Sequence, residues 1–181
     1  MGESLQANEC DLFLLSSHQR YYADRILPEF ARRGRGNIHG WGIGSYIDGS
    51  ANVLRTDEPA FNNNLSSEFS IAISAISSPV MLGHLRLTSR GSISSENNHP
   101  FKLHFLDYDW LLIHNGTAAN YDRLVPLDER LLIESNNDSA RIFEFMCQRI
   151  ISYYLSGHQK SLIEGCRFAY TDLLDAAKWF I

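Results

Sequence analysis

Cys10 stands directly ahead of the apolar run in "QANECDLFLLSS", with nine residues before it. A thiol becomes a strong nucleophile once a base removes its proton. Two bases fit: an imidazole, as in a Cys–His pair, or the chain's own α-amine, whose reference pKa of about 7.7–8.0 lies near working pH. The second requires Cys10 to be the first residue of the mature chain, so Met1–Glu9 becomes a chemical question. Three distant segments hold the other candidates: "GHLRLTSRG" with Arg86, "LLIHNG" with Asn115 and Gly116, and "ESNNDSA" with Asp138. Read singly, each has a plain role. A free cysteine is usually a small core residue, Arg86 an ion-paired surface residue, Asn115-Gly116 a turn, and Asp138 an N-cap for the helix after it.

Composition limits what these groups serve. The 181 residues fit one domain with a real core. Apolar residues make up 44% and charged residues 20%, with a net charge of −5, so no basic stripe is left to neutralise phosphates and a nucleic-acid partner is not expected. The one dense positive run, Arg32, Arg33 and Arg35, reads as a solvated helix end. Cys10, Cys147 and Cys166 are odd in number, widely spaced and without a CxxC. That argues against a disulfide framework or structural zinc and for a reducing, cytoplasmic setting. None of the seven histidines has metal-ligand spacing such as HExxH, so neither metal nor cofactor is expected. No apolar stretch reaches 18 residues, so no membrane span is expected.

The elements that must position the candidates follow from periodicity and turn chemistry. "DLFLLSS" (11–17) reads as a short buried strand. In "HQRYYADRILPEFARR", Tyr22, Ile26, Leu27 and Phe30 have helical spacing, with Pro28 as a kink point and Gly34 and Gly36 ending the run. "GWGIGSYIDGSANVLRT" predicts a hairpin turning at Asp48-Gly49. "NNNLSSEFSIAISAIS" predicts a helix carrying Leu65, Phe69, Ala72 and Ile76 on one face, with an Asn or Ser cap ahead. "PVMLGHLRL" predicts a strand, on which His84 shares a face with Arg86. "FKLHFLDYDWLLIHNG" predicts a hairpin, and "SARIFEFMCQRIISYYL" an amphipathic helix. "KSLIEGCRFAYTDLLDAAKWF" predicts one more helix, interrupted near Gly165. In "GRGNIHGWGIG", His39 occupies the last Gly position of G-x-G-x-x-G and a hairpin follows, which excludes a dinucleotide fingerprint. The order of strands and helices predicts one α+β domain with sheets packed between helices.

Taken together, "CDLFLLSS", "HGWGIGSY", "GHLRLTSRG", "ENNHPF", "WLLIHNG" and "NDSA", in this order across 10–155, resemble the class II glutamine amidotransferases. The resemblance implies an N-terminal-nucleophile hydrolase: an αββα sandwich of two antiparallel sheets between helices, releasing ammonia from glutamine through a γ-glutamyl thioester without a cofactor. It implies Cys10 as nucleophile, with Met1–Glu9 a removable leader ahead of a 10–181 amidotransferase domain. It implies Asn115 and Gly116 as oxyanion donors, Arg86 gripping the α-carboxylate, Asp138 holding the α-ammonium, and Thr88 and Ser89 as hydroxyls lining the site. A guanidinium fork suits a planar carboxylate better than a lysine does.

This sequence departs from the family pattern at Leu87 and Arg90, where an aromatic residue and a histidine are common, and at Ala140, where an acid is common. The chain stops at Ile181, before the closing strands such domains usually have, so a C-terminally shortened domain is expected. Because no synthase segment follows, a synthase subunit that accepts the ammonia is the implied partner. Two alternatives stay open: a hydrolase of other γ-glutamyl amides, and a non-catalytic regulatory or assembly module that keeps its leader.

Overall fold

The computed structural model describes residues 9–88, 92–118, 120–124, 133–135, 137–157 and 161–178, with side chains described as far as 174 in the last segment. They divide into two compact units. One holds the chain through Lys102 together with Leu111–Gly116; the other holds Leu103–Trp110 and the chain from Thr117.

A four-stranded antiparallel sheet organises the first unit, in the order β1-β6-β2-β3. Strand β1 spans Asp11–Tyr22, β2 Trp41–Ile47, β3 Ser50–Thr56 and β6 Ser77–Leu85. The Asp48-Gly49 turn joins β2 and β3 as expected. Both residues have positive φ, 51° and 86°, which the right-handed twist of a two-residue hairpin requires. One sheet face carries the core: Phe13 and Leu15 from β1, Trp41 and Ile43 from β2, and Met81 and Leu85 from β6 pack with Leu27, Phe69 and Ile73. Strand β1 is longer and less buried than the sequence suggests. Its inner residues alternate with Leu12 and Leu14, which are 41% and 68% exposed, as period-2 geometry demands of a half-buried strand.

The first helix is correspondingly shorter. Tyr22 ends β1, a 3-10 turn covers Ala23–Arg25, and α1 covers only Leu27–Arg33. Pro28 does not kink this helix. It lies in the first turn, where a missing N–H leaves no bond unmade. Arg32 and Arg33 close α1 as solvated residues, with Arg32 paired to Glu29. Two small strands, β4 (Phe61–Asn62) and β5 (Asn64–Leu65), precede α2, Ser67–Ser74. The helix is capped by Ser66, whose hydroxyl accepts the Phe69 N–H at 3.2 Å. Leu65 and Ile76 therefore lie outside the helix their spacing suggested.

Strands β7 (Phe101–Phe105) and β8 (Tyr108–Leu112) form a two-stranded sheet. In the second unit, α3 spans Asp138–Leu155 and α4 spans Leu162–Lys178. Tyr153 meets Phe168 with ring centroids 5.2 Å apart, and Arg149 pairs with Asp172 at 3.4 Å. Gly165 does not interrupt α4. A Cβ there would lie 3.4 Å from the Ile150 side chain, so the glycine is where α3 and α4 come close. Among the described residues, no helix is long and apolar enough to cross a membrane. The α+β class and antiparallel sheets match expectation.

Candidate active site

The candidate residues gather where the sheet ends. Registered pairing closes with Asp11 opposite Leu85 and Trp41 opposite Leu85. The next row holds Cys10, Arg86 and Gly40. The Arg86 N–H donates to the Gly40 carbonyl at 2.9 Å, and the His39 N–H donates to the Arg86 carbonyl at 3.0 Å. The Cys10 sulfur takes the Leu87 N–H at 3.4 Å and reaches the Leu87 carbonyl at 3.5 Å. The Cys10 side chain is thus tied to the backbone just past the end of β6.

Burial pushes the Cys10 thiol above its ordinary pKa, opposed by the Leu87 hydrogen bond and the nearby Arg86 charge. Desolvation outweighs both, so the sulfur rests as a thiol and needs a base to react. The imidazoles nearby are not arranged to supply one. His39 Nδ1 accepts the Thr88 N–H at 2.8 Å. His84 is 1% exposed, and burial first, then the charges of Arg86 and His114, lower its pKa to about 3. His99, its ring 4.3 Å from that of His84, is lowered to about 2, again chiefly by burial. Among the described residues, no imidazole hydrogen-bonds the sulfur.

Arg86 is only 6% exposed. One of its terminal nitrogens donates to the Asn98 Oδ1 at 3.4 Å. Among the described residues, no carboxylate pairs with it. Burial lowers its pKa, and the neighbouring Cys10 sulfur works the other way. A buried guanidinium held by one neutral oxygen has donors to spare for an incoming anion. Thr88 Oγ1 is also buried without a hydrogen-bond partner. Ser89, the other expected hydroxyl, lies outside the described residues.

The segment that brings Asn98 here reveals what the glycines of "HGWGIG" are for. Gly42 and Gly44 stand two residues apart on β2 and so share a sheet face, the one turned away from Trp41 and Ile43, while Gly40 lies just before the strand at φ 115°. Asn98–Pro100 lies on that bare backbone. A Cβ on Gly42 would stand 2.9 Å from the His99 carbonyl carbon and nearer still to its oxygen. One on Gly44 would meet Leu111 Cδ1 at 2.8 Å and Pro100 Cγ at 2.9 Å. Spacing alone did not disclose this seat.

Asn115 follows β8, and its Nδ2 donates to the Glu9 carboxylate at 3.2 Å. Gly116 has φ 144°, a backbone form that side-chain-bearing residues avoid. Asp138 belongs to the second unit. It opens α3 but is not the N-cap; Asn137 is, accepting the Ala140 N–H at 2.8 Å. Asp138 instead accepts the Ala118 N–H at 2.6 Å and the Ser139 N–H at 2.9 Å, so it fixes the chain two residues past Gly116. Sequence reasoning missed Leu87, Asn98 and the Glu9 contact. The alternate glycines and the Asn98-His99-Pro100 run were the signals available for Asn98.

The family model of class-II glutamine amidotransferases matches residues 10–176, beginning at the cysteine just described. The chain belongs to the class II glutamine amidotransferases. An uncharacterized protein of Methanocaldococcus jannaschii is 30% identical over 166 residues, 92% of this chain and 43% of that one. YafJ of Escherichia coli, provisionally a glutamine amidotransferase, is 27% identical over 115 residues, 64% of this chain and 44% of that one. The chain thus spans less than half the length of these curated relatives. Two solved structures share the fold. Glutamine phosphoribosylpyrophosphate amidotransferase of B. subtilis superposes with a TM-score of 0.61 at 15% identity, over 88% of this chain and 32% of that one. A predicted glutamine amidotransferase from Pseudomonas aeruginosa gives 0.50 at 20% identity, over 72% and 50%. At such identities the likeness speaks for the antiparallel α+β fold of N-terminal-nucleophile type.

Proposed function

We propose that this amidotransferase hydrolyses the side-chain amide of glutamine through a γ-glutamyl thioester on Cys10. The observation that carries the reading is Arg86: a buried guanidinium, without a carboxylate partner among the described residues, one row beyond the sheet and beside the sulfur. A charged head group bound there would leave the amino acid's far end to react with the thiol.

In this reading the leader Met1–Glu9 is removed and the α-amine of Cys10 takes the thiol proton, directly or through water. The thiolate attacks the amide carbon. The Asn115 amide and the Gly116 N–H stabilise the oxyanion, and Arg86 and Asp138 hold the α-carboxylate and α-ammonium, with the Thr88 hydroxyl beside them. The protonated amine then gives its proton to the leaving nitrogen, and ammonia departs. Water adds to the thioester, glutamate leaves and the thiol is restored. The raised thiol pKa and the unavailable imidazoles favour the amine as base. The ammonia acceptor is a synthase partner, and the same chemistry would serve other γ-glutamyl amides.

The Glu9 carboxylate on Asn115 favours a second reading. While Glu9 remains attached, the amine is a peptide nitrogen and the oxyanion donor is engaged, which suits a non-catalytic module. Intact mass of the purified chain separates the two. A chain beginning at Cys10 that releases glutamate from glutamine, with release abolished in Cys10→Ala, supports the enzyme. An active chain still beginning at Met1 refutes the amine mechanism.

A further inference from the structure

We propose that Asn98 is a positioning residue that aims the Arg86 guanidinium at the substrate while leaving its charge unspent. The proposal rests on the reading of Arg86 as the clamp for glutamine's carboxylate. Asn98 is fully buried. Its Nδ2 donates to the Thr56 carbonyl, an acceptor only, so its Oδ1 must face Arg86. Turning the amide over would set oxygen against oxygen at Thr56 and donor against donor at Arg86. The amide orientation is therefore dictated from both ends.

The mount is rigid for backbone reasons. The Asn98 N–H donates to the Ser95 carbonyl at 3.1 Å, and Arg55 from β3 donates to the Asn98 carbonyl at 3.2 Å. Gly40 makes the approach feasible: its φ is 115°, and a Cβ there would overlap the Asn98 amide nitrogen and the Thr56 carbonyl oxygen. Gly40 also accepts the Arg86 N–H. The root of Arg86 and the partner of its tip are thus both fixed at one corner. An amide oxygen directs the guanidinium without neutralising it. A carboxylate at the same place would form an ion pair and compete with the carboxylate that substrate brings.

The test is steady-state release of glutamate from glutamine by the full chain, comparing wild type with Asn98→Asp, Asn98→Ser, Arg86→Lys and the Arg86→Lys/Asn98→Ser double variant. Asn98→Asp is expected to raise KM about 10- to 100-fold with kcat within about threefold, since a fixed internal anion opposes the substrate's. Asn98→Ser, which keeps an acceptor but shortens it, should raise KM less. Because Asn98 acts through Arg86, the double variant should be no worse than Arg86→Lys alone by more than about twofold. A loss confined to kcat, or Asn98 and Arg86 effects that multiply, would overturn the proposal. So would a thermal melt in which both Asn98 variants are unfolded, which would assign the residue to the fold. A wild-type chain releasing no glutamate, or releasing it unchanged after Cys10→Ala, sinks the functional reading itself and is told apart by needing no Asn98 variant.

Discussion

Gly42→Ala is the sharpest perturbation of this architecture, because the added methyl has nowhere to go. Its Cβ would stand 2.9 Å from the His99 carbonyl carbon and press on the carbonyl oxygen, both backbone atoms; the third neighbour is the Arg55 side chain at 3.2 Å. Backbone cannot rotate aside as a side-chain tip can, so Asn98–Pro100 must lift from β2. Overpacking typically costs about 1–3 kcal/mol, and a backbone clash belongs at the upper end. Replacing a strand glycine with alanine returns roughly 0.5–1 kcal/mol. The net is a destabilisation of about 2–2.5 kcal/mol, which in a chain of this size lowers Tm by roughly 4–10 °C. Gly44→Ala is the graded control. Its Cβ meets the end of Leu111, which can turn, and the Pro100 ring, so its loss should be about 1 kcal/mol or less. Thermal unfolding by circular dichroism reads both. Glutamate release should fall further in Gly42→Ala than in Gly44→Ala, since lifting Asn98 frees Arg86. A Gly42→Ala chain that melts with wild type and keeps its activity would refute the placement of Asn98–Pro100 on the sheet, and with it the account of Arg86.

Three further outcomes are expected. Arg86→Lys should raise KM for glutamine about tenfold or more with a smaller change in kcat, because an ammonium cannot replace a two-pronged grip; steady-state kinetics check this. Asn115→Ala should lower kcat roughly 10²–10³-fold with little change in KM, as expected for a donor used only in the transition state. Stability should fall as pH drops from about 6.5 toward 3, because His84 and His99 stay neutral in the fold down to about 3 and about 2 while the unfolded chain takes up protons near the ordinary value. The stabilisation from these rings is complete above the unfolded pKa and is lost at up to about 1.4 kcal/mol per pH unit for each. Urea unfolding across this range should show that slope, and His84→Phe should make it shallower.

The fold was legible wherever a local signal was strong and short-range. The Asp48-Gly49 turn, the amphipathic α3 and the Ser66 cap all follow from a few neighbouring residues. Boundaries set by tertiary pairing were not. β1 runs on to Tyr22 because Tyr21 and Tyr22 pair with Ser78 and Ser77, which no helical or strand period around His18 announces. Pro28 was ambiguous until the start of α1 was known. At the site, Cys10, Arg86, Thr88, Asn115 and Gly116 were named from motifs and lie together in one unit. Asp138 was named for substrate; its described bonds are from the Ala118 and Ser139 N–H groups and the Ser139 hydroxyl. Asn98 escaped notice because its importance is a contact across sequence, through glycines whose purpose is another segment's backbone.

If the leader is removed as proposed, the end of the sheet shows what the cut would leave behind. Continuing the register of Asp11 with Leu85 sets Glu9 opposite Leu87. In a longer antiparallel pair, the Leu87 N–H and carbonyl would bond to the backbone of Glu9. They are instead met by the Cys10 sulfur, at 3.4 and 3.5 Å. The rung belongs to a side chain of the residue before the strand, not to the peptide of the residue before that. Cutting the Glu9–Cys10 bond therefore leaves no strand group orphaned at β6. It would release the Glu9 carboxylate from Asn115 and expose an amine on the same residue as the sulfur. The thiol is the fastening just past the sheet's end and, in the proposed reaction, the group that gives up a proton.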